Sequence, residues 1–301
     1  MRVAALDLGT NTTRLLVADV EDGSVREVER RTEITRLGEG VDERRRLLPL
    51  PIARVRKVLS DYRRALEEHG AERALLVATS AVRDAENGEA FLGEIEWSYG
   101  FATRLLSGGE EAALVRRGVA TGAEVDAGTL IVDLGGGSTE LILGDRHLSL
   151  DLGSVRLTER FGEDVEAIRA HVREAALPLE TAKAVGVAGT VTTIAALDLG
   201  LTEYDPQRVH GHAILRDAVE RELARLAGLS LEERRRLPGL EPKRAPVIVA
   251  GAAILAELLA VYGLDGIRAS ERDLLDGAAL EAAELPEPEE GAAPPGAYTC
   301  C

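Results

Sequence analysis

The sequence predicts an α/β protein made of two related domains in tandem, with an interdomain cleft. Three observations lead there. The chain has 301 residues, against a typical domain of ~150. Strand-like and helix-like segments alternate along nearly all of it, the pattern of α/β folds. And one segment recurs: Leu6-Asp7-Leu8-Gly9-Thr10-Asn11-Thr12-Thr13-Arg14-Leu15-Leu16-Val17-Ala18-Asp19 aligns without gaps on Val132-Asp133-Leu134-Gly135-Gly136-Gly137-Ser138-Thr139-Glu140-Leu141-Ile142-Leu143-Gly144-Asp145. Each copy reads as an apolar strand, an Asp, a tight Gly/Ser/Thr turn and a second apolar strand. Two short strands can match by chance; matched Asp, Gly and hydroxyl positions in one register argue for duplication.

Between the copies, Ile52, Val55, Val58, Leu59, Tyr62 and Leu66 recur at helical spacing with Arg and Glu on the other face. Residues 74–78 and 102–106 read as short buried strands, and 110–119 as a helix leading to the second Asp turn. After Asp145 come a strand through Leu152, helices at 155–161 and 165–175, a strand at 185–188, and Gly189-Thr190 opening a helix. Three further helices are predicted near 213–227, 231–237 and 245–262. The apolar run at 245–264 is opened by Pro246 and interrupted by Gly251 and Glu257, so it reads as a buried core helix rather than a membrane span. From Glu281 the tail carries Glu284, Glu287, Glu289 and Glu290, four prolines and no base, and reads as disordered from about residue 286. The expected domains are 1–122 and 123–285, followed by the tail 286–301.

Composition narrows the partners. Hydrophobic residues make up 45% and charged residues 29%, which argues against disorder as a whole. The net charge is −16, and all but three of the 36 basic residues (Lys57, Lys183 and Lys243) are arginine. Such an acidic surface repels nucleic acids and anionic membranes, so neither is expected as a partner. Cys300 and Cys301 lie at the end of the chain, with no metal-ligand spacing and no fold to staple, and read as an incidental tail feature. Asp7 arrives before a signal-peptide apolar region could form, so a cytoplasmic location is expected.

A strand ending in Asp-x-Gly and turning through small hydroxyl residues suits phosphate chemistry. Glycine lets backbone N–H groups approach phosphate oxygens, and successive N–H groups form an anion nest. The first turn offers Gly9, Thr10, Asn11 and Thr12; the second offers Gly135, Gly136, Gly137, Ser138 and Thr139. Asp7 or Asp133 can hold Mg²⁺, which prefers a few carboxylates plus phosphate oxygens. Two facing copies would clamp one phosphate–metal group. The bland alternative is a pair of Gly-rich hairpins in which Asp only caps the turn, and two copies in register weigh against it. Arg14 follows the first turn, and Arg83 closely follows the buried strand at 74–78, the end at which α/β sites sit. Glu110-Glu111 opens a helix; dipole complementation would account for one carboxylate, and a general base for the other. Spacing does not say which. Gly189 and Thr190, in a second strand-to-helix turn, could accept a nucleotide or a distal phosphate.

Together these pieces resemble the exopolyphosphatase / guanosine pentaphosphate phosphatase family, within the actin, Hsp70-like and sugar-kinase superfamily of duplicated ribonuclease H-like domains. The match is collinear over roughly residues 1–280 and includes Asp7–Arg14, Ala78-Thr79-Ser80-Ala81-Val82-Arg83, Leu106-Ser107-Gly108-Gly109-Glu110-Glu111-Ala112 and Asp133–Glu140. Gly189-Thr190, Val209-His210-Gly211, Leu237-Pro238-Gly239-Leu240, Arg244 and Gly251 agree as well. The Asp-x-Gly turns fit the whole superfamily; the Arg83 and Glu110-Glu111 stretches narrow it. The resemblance implies that Glu111 is the base that activates water and that Arg83 binds the phosphate chain. It implies that Asp133 and Glu140 hold Mg²⁺ (or Mn²⁺) and position water, that Gly135 and Gly136 lie in one phosphate loop, and that Asp7, Asn11 and Arg14 lie in the other. Phosphoryl transfer to water works by positioning and charge neutralisation, so these groups suffice without a covalent nucleophile.

Two departures stand out. Long members of the family add C-terminal helical domains, so this chain resembles the short two-domain form, for which short polyphosphates are the more plausible substrates. The family's Ser-x-x-x-Leu-Arg-Glu-Gly appears as Ser270-Glu271-Arg272-Asp273-Leu274-Leu275-Asp276-Gly277, with Leu for Arg and Asp for Glu. The leading expectation is a Mg²⁺-dependent hydrolase that removes terminal phosphates from inorganic polyphosphate. Its nearest rival hydrolyses guanosine pentaphosphate; Tyr204 is the aromatic residue near the Gly189 turn. An ATP-dependent kinase would leave the Arg83 segment unexplained, and a non-catalytic nucleotide-binding or filament protein would need Glu111 to be replaceable. A homodimer surface could extend a polyphosphate channel, but the sequence does not fix an oligomeric state.

Overall fold

Each copy of the repeat folds as two antiparallel strands joined by its turn. In the computed structural model, which describes residues 1–123 and 125–286, β1 (Arg2–Leu8) pairs with β2 (Thr12–Glu21) so that Asp7 stands opposite Arg14. β3 (Ser24–Ile34) extends the hairpin. After the short α1 (Val41–Arg44) comes α2 (Pro49–His69), whose Val55, Leu59, Tyr62 and Leu66 are buried as the helical spacing required. β4 (Arg73–Ala78) then lies parallel to β1. The one-turn α3 (Ser80–Arg83) and α4 (Gly88–Tyr99) precede β5 (Ala102–Leu105), which is parallel to β4. α5 (Gly108–Ala120) closes this stretch. The sheet order is β3-β2-β1-β4-β5.

The second sheet repeats that order. β6 (Thr129–Leu134) pairs with β7 (Thr139–Leu143), and β7 with β8 (Arg146–Leu150). α6 (Ser154–Phe161) and α7 (Val165–Ala175) lead to β9 (Lys183–Val187), parallel to β6. α8 (Ala188–Asp198) and α9 (Pro206–Val209) follow, then β10 (Ala213–Leu215), α10 (Arg216–Ala227), α11 (Leu231–Arg234), α12 (Ile248–Val261) and β11 (Gly266–Ala269). The order β10-β11-β9-β6-β7-β8 is the first sheet's order with β10 added antiparallel at the edge. β1 and β6 are buried almost end to end, as central strands covered on both faces must be. Duplication is therefore visible in topology as well as in sequence.

Three differences from the sequence reading have physical causes. Residues 213–215 are a strand, not the start of a helix, because Ile214 is recruited by pairing with Ile267. The sequence pattern also gave no sign of α13 (Leu274–Glu284). The described residues divide into one unit of 1–123 with 273–286, and another of 125–272. The sequence reading draws its domains as 1–122 and 123–285, whereas α13 packs against α5 and groups with the first unit. Gly118 of α5 and Gly277 of α13 carry the reason: a Cβ on either would lie about 2 Å or less from the other helix's backbone, so two glycines let the helices touch main chain to main chain. α12 is buried nearly all round, and no described helix is long and apolar enough to cross a membrane. The expected tail disorder and the Cys300-Cys301 pair fall on residues 287–301, outside the described residues.

Candidate functional site

The two turns are built alike. Gly9 N–H donates to the Thr12 carbonyl at 2.9 Å, and Gly135 N–H to the Ser138 carbonyl at 3.0 Å. A Cβ on either glycine would press on that same carbonyl, at 3.2 and 3.1 Å. The turn carbonyls face the scaffold. Thr10 O accepts from Gly38, and Asn11 O from Thr35 and Arg36; Gly135 O accepts from Ser154, and Gly136 O from Val155 and Arg156. Arg156 Nε adds a 2.6 Å bond to Gly137 O. The N–H groups of Thr10, Asn11, Gly136 and Gly137 make no hydrogen bond among the described residues, which leaves them as the donors an anion nest requires.

Where the turns differ is in charge. Opposite Asp133 stands Glu140, so two buried carboxylates share one face of the β6–β7 hairpin. Glu140 Oε1 accepts from Ser149 Oγ at 3.0 Å. Opposite Asp7 stands Arg14, whose Nε and Nη2 both reach Asp7 Oδ2 at 2.8 Å. Its Nη1 donates to Asp273 Oδ2, at the start of α13. Burial pushes the Asp7 carboxyl up, with Asp273 adding to the rise and Arg14 only partly offsetting it. Burial acts the same way on Asp273, but Arg14, Arg30 and the Leu275 N–H together bring it below its ordinary value. Five buried side-chain polar atoms lack a partner among the described residues, and three belong to the first turn: Asp7 Oδ1 and both amide atoms of Asn11. Orphaned buried groups are costly, and a cluster of them marks a place prepared for a ligand.

The remaining groups of the first unit sit after the carboxyl ends of neighbouring parallel strands, where α/β sites form. Beyond β4, Ser80 Oγ lies 2.9 Å from Thr10 Oγ1, which ties the turn to α3. Arg83, the last residue of α3, donates through Nη1 to Leu106 O at 2.7 Å and to Glu111 Oε2 at 3.1 Å. Beyond β5, α5 distinguishes the two adjacent acids. Ser107 and Glu110 form a capping box, and the Ser107 hydrogen bonds, with Arg104, hold the exposed Glu110 carboxyl down at about 2. Glu111 is 5% exposed and faces Arg83. The dipole-complementing acid is Glu110, and the inward carboxylate is Glu111. The Ser107-x-x-Glu110 spacing was readable as a capping box and could have made this assignment from sequence.

In the second unit, Gly189 and Thr190 open α8 directly after β9. The Arg244 guanidinium lies over Gly189 so closely that a Cβ there would be 1.9 Å from Nη1. Thr190 is buried and packs against Gly251 of α12. Ala188 just before them has φ of 67°, strain that a non-glycine residue adopts only where its surroundings enforce it. Tyr204 bonds through its hydroxyl to Glu271 and borders a cavity of about 400 Å³ lined by residues such as Leu201, Asp205 and Arg208. Ser80, bonded to Thr10, and Asp273, bonded to Arg14, touch residues of the first turn and its hairpin and were not assigned by motif reasoning.

A model of the Ppx/GppA phosphatase family matches residues 16–284. The chain belongs to this family. Exopolyphosphatase 2 of Mycobacterium tuberculosis is 41% identical, over 94% of this chain and 98% of its own length. The guanosine-5'-triphosphate,3'-diphosphate pyrophosphatase of Vibrio vulnificus is 31% identical, over 92% of this chain and 58% of that protein. Among solved structures, an exopolyphosphatase-like protein superimposes with a TM-score of 0.86 at 32% identity, over 94% of this chain and 99% of that one. The Aquifex aeolicus Ppx/GppA family member gives 0.77 at 31% identity, over 94% and 97%. The fold is therefore the duplicated ribonuclease H-like one expected of Ppx/GppA proteins, which are hydrolases of phosphoric anhydrides. The stretch that departs from the Ppx/GppA pattern is structural here: Leu275 and Asp276 are fully buried, and Asp276 accepts from Arg30 Nη2 at 3.1 Å while closing the cap on α13.

Proposed function

We propose that this chain is a Mg²⁺-dependent exopolyphosphatase that releases terminal phosphate from inorganic polyphosphate, short chains foremost. The observation that carries the reading is the buried Glu111 carboxylate beside Arg83, on the same strand ends as a turn whose N–H groups and Asn11 amide stand unpaired. Glu111 takes a proton from water, the water oxygen bonds to the terminal phosphorus, and the bridging P–O bond breaks. The shortened chain leaves with the electron pair. Arg83 and the turn N–H groups balance charge on the phosphoryl oxygens, so a protein of net charge −16 still offers local positive potential.

No cluster of three metal-ligating side chains occurs among the described residues, but Mg²⁺ needs only one or two carboxylates beside phosphate oxygens and water. The paired Asp133 and Glu140 suit it in the second unit, and the partnerless Asp7 Oδ1 offers an oxygen in the first. Bound there, Mg²⁺ would neutralise phosphate charge. Asp133→Asn is expected to raise the Mg²⁺ concentration for half-maximal activity about tenfold and to weaken polyphosphate binding with it; an unchanged Mg²⁺ titration would remove Asp133 from the metal site.

Guanosine pentaphosphate is the second reading, favoured by the exposed Tyr204 in the unit that holds Gly189, Thr190 and Arg244. Phosphate release measured with Mg²⁺ on short polyphosphate, long polyphosphate, guanosine pentaphosphate and ATP separates the readings. Fastest release from short polyphosphate is expected. Preference for the guanosine nucleotide would move the assignment to it, and turnover of ATP alone would overturn both.

A further inference from the structure

The first turn holds a buried cluster that is one positive charge short. Asp7 is 3% exposed and Asp273 6%, and the Arg14 guanidinium lies between them. Two carboxylates share one cation, and Arg14 spends Nε and Nη2 on Asp7 and Nη1 on Asp273. Arg30 acts on Asp273 through its charge, but its ion pairs are with Asp276 and Glu27. Buried charge is tolerated when it is balanced and fully hydrogen-bonded. Here the imbalance coincides with one atom, Asp7 Oδ1, which is buried and has no partner.

Asp273 itself is fixed. Its Oδ1 accepts from Leu275 N–H at 3.0 Å in the cap of α13, and its own N–H donates to Asp276 Oδ2 at 3.1 Å. A chain of contacts therefore runs from Arg30 through Asp276 and Asp273 to Arg14 and Asp7, all within one unit. In the second turn the acid facing Asp133 is supplied by the hairpin, as Glu140; in the first turn that register holds Arg14. Asp273, 259 residues away in sequence, restores the missing negative charge.

We propose that Asp273 is a positioning residue: by gripping Arg14 on the edge away from Asp7, it fixes Asp7 with Oδ1 presented to a divalent cation and leaves the cluster negative enough to hold one. Arg14 then acts as a strut, its donors directed at carboxylates rather than at substrate phosphate. The inference rests on the Mg²⁺-dependent reading above.

The test is Asp273→Asn, which keeps the size and an equally good N-cap while removing the charge. Mn²⁺ binding to the substrate-free protein, followed by electron paramagnetic resonance, is expected to weaken at least fivefold. In the Mg²⁺ titration of phosphate release, the half-saturating concentration rises by more than kcat falls, and Asp273→Glu restores part of the affinity. A cap with only a structural role would lower Tm and leave the metal titrations alone. Should Asp273→Asn fail to fold, Asp273→Ser, also a good cap, takes its place. Unchanged Mn²⁺ binding in the variant overturns the proposal, as does a wild type that binds no Mn²⁺. Failure of the exopolyphosphatase reading would show separately, as absent phosphate release by the wild type on polyphosphate.

Discussion

Glu111→Gln is expected to lower kcat for polyphosphate by two to four orders of magnitude, the usual share of a positioned general base, while polyphosphate still binds. The substitution keeps the shape of the side chain, and the amide oxygen can still accept from Arg83 Nη1, now 3.1 Å from Oε2. Arg83 is 26% exposed on its side chain, so water can solvate it when the partner's charge is gone. The fold should therefore survive, and if Arg83 binds phosphate as proposed, removing the negative charge beside it should leave affinity equal or improved. Glu110→Gln is the matched control. Glutamine serves in a capping box as glutamate does, and Glu110 is a capping group with its carboxyl outside, so kcat should stay near wild type. Single-turnover phosphate release and a filter-binding titration of both variants check this. Near-normal kcat in Glu111→Gln would remove the general-base assignment; equal losses in both variants would mean that the helix start, not the base, had been damaged.

What was legible in the sequence was what lies close along the chain. The hairpin from Asp7 to Arg14 and its copy from Asp133 to Glu140 are local, so the strands, the turn and the duplication could be read from fourteen residues each. The burial of Val55, Leu59 and Leu66 followed from helical spacing for the same reason. Long-range partners were not legible. Arg14 reads from sequence as part of the first phosphate loop; its bond to Asp273 could not be read, because no pattern links residues so distant in sequence. α13 escaped because it is buried around most of its circumference and shows little amphipathic stripe. Leu275 and Asp276 looked like defects in a family motif; in space they complete a helix cap and an ion pair with Arg30.

Gly118→Ala should be the most damaging small substitution outside the reacting groups. A Cβ at Gly118 would sit 1.7 Å from the Asp273 carbonyl oxygen and 2.9 Å from Gly277 N. Both neighbours are backbone, so no rotamer change relieves the clash and the helices must separate. Overpacking of this kind costs about 1–3 kcal/mol, occasionally more. The functional cost should exceed the thermodynamic one, because α5 carries Glu111 and the start of α13 carries Asp273. A displacement of ~1 Å at a reacting group can lower turnover about a hundredfold. Gly277→Ala, with its Cβ 2.0 Å from Leu114 O, should reproduce both effects. Gly93→Ala, in α4 with nothing within 4 Å of its Cβ, provides the contrast. There the gain in helix propensity, roughly 0.5–1 kcal/mol, should raise Tm and leave kcat unchanged. Thermal unfolding and kcat measured on the folded fraction separate the cases. If Gly118→Ala were as stable and active as Gly93→Ala, the close contact between α5 and α13 would not be what holds Glu111 and Asp273 in register.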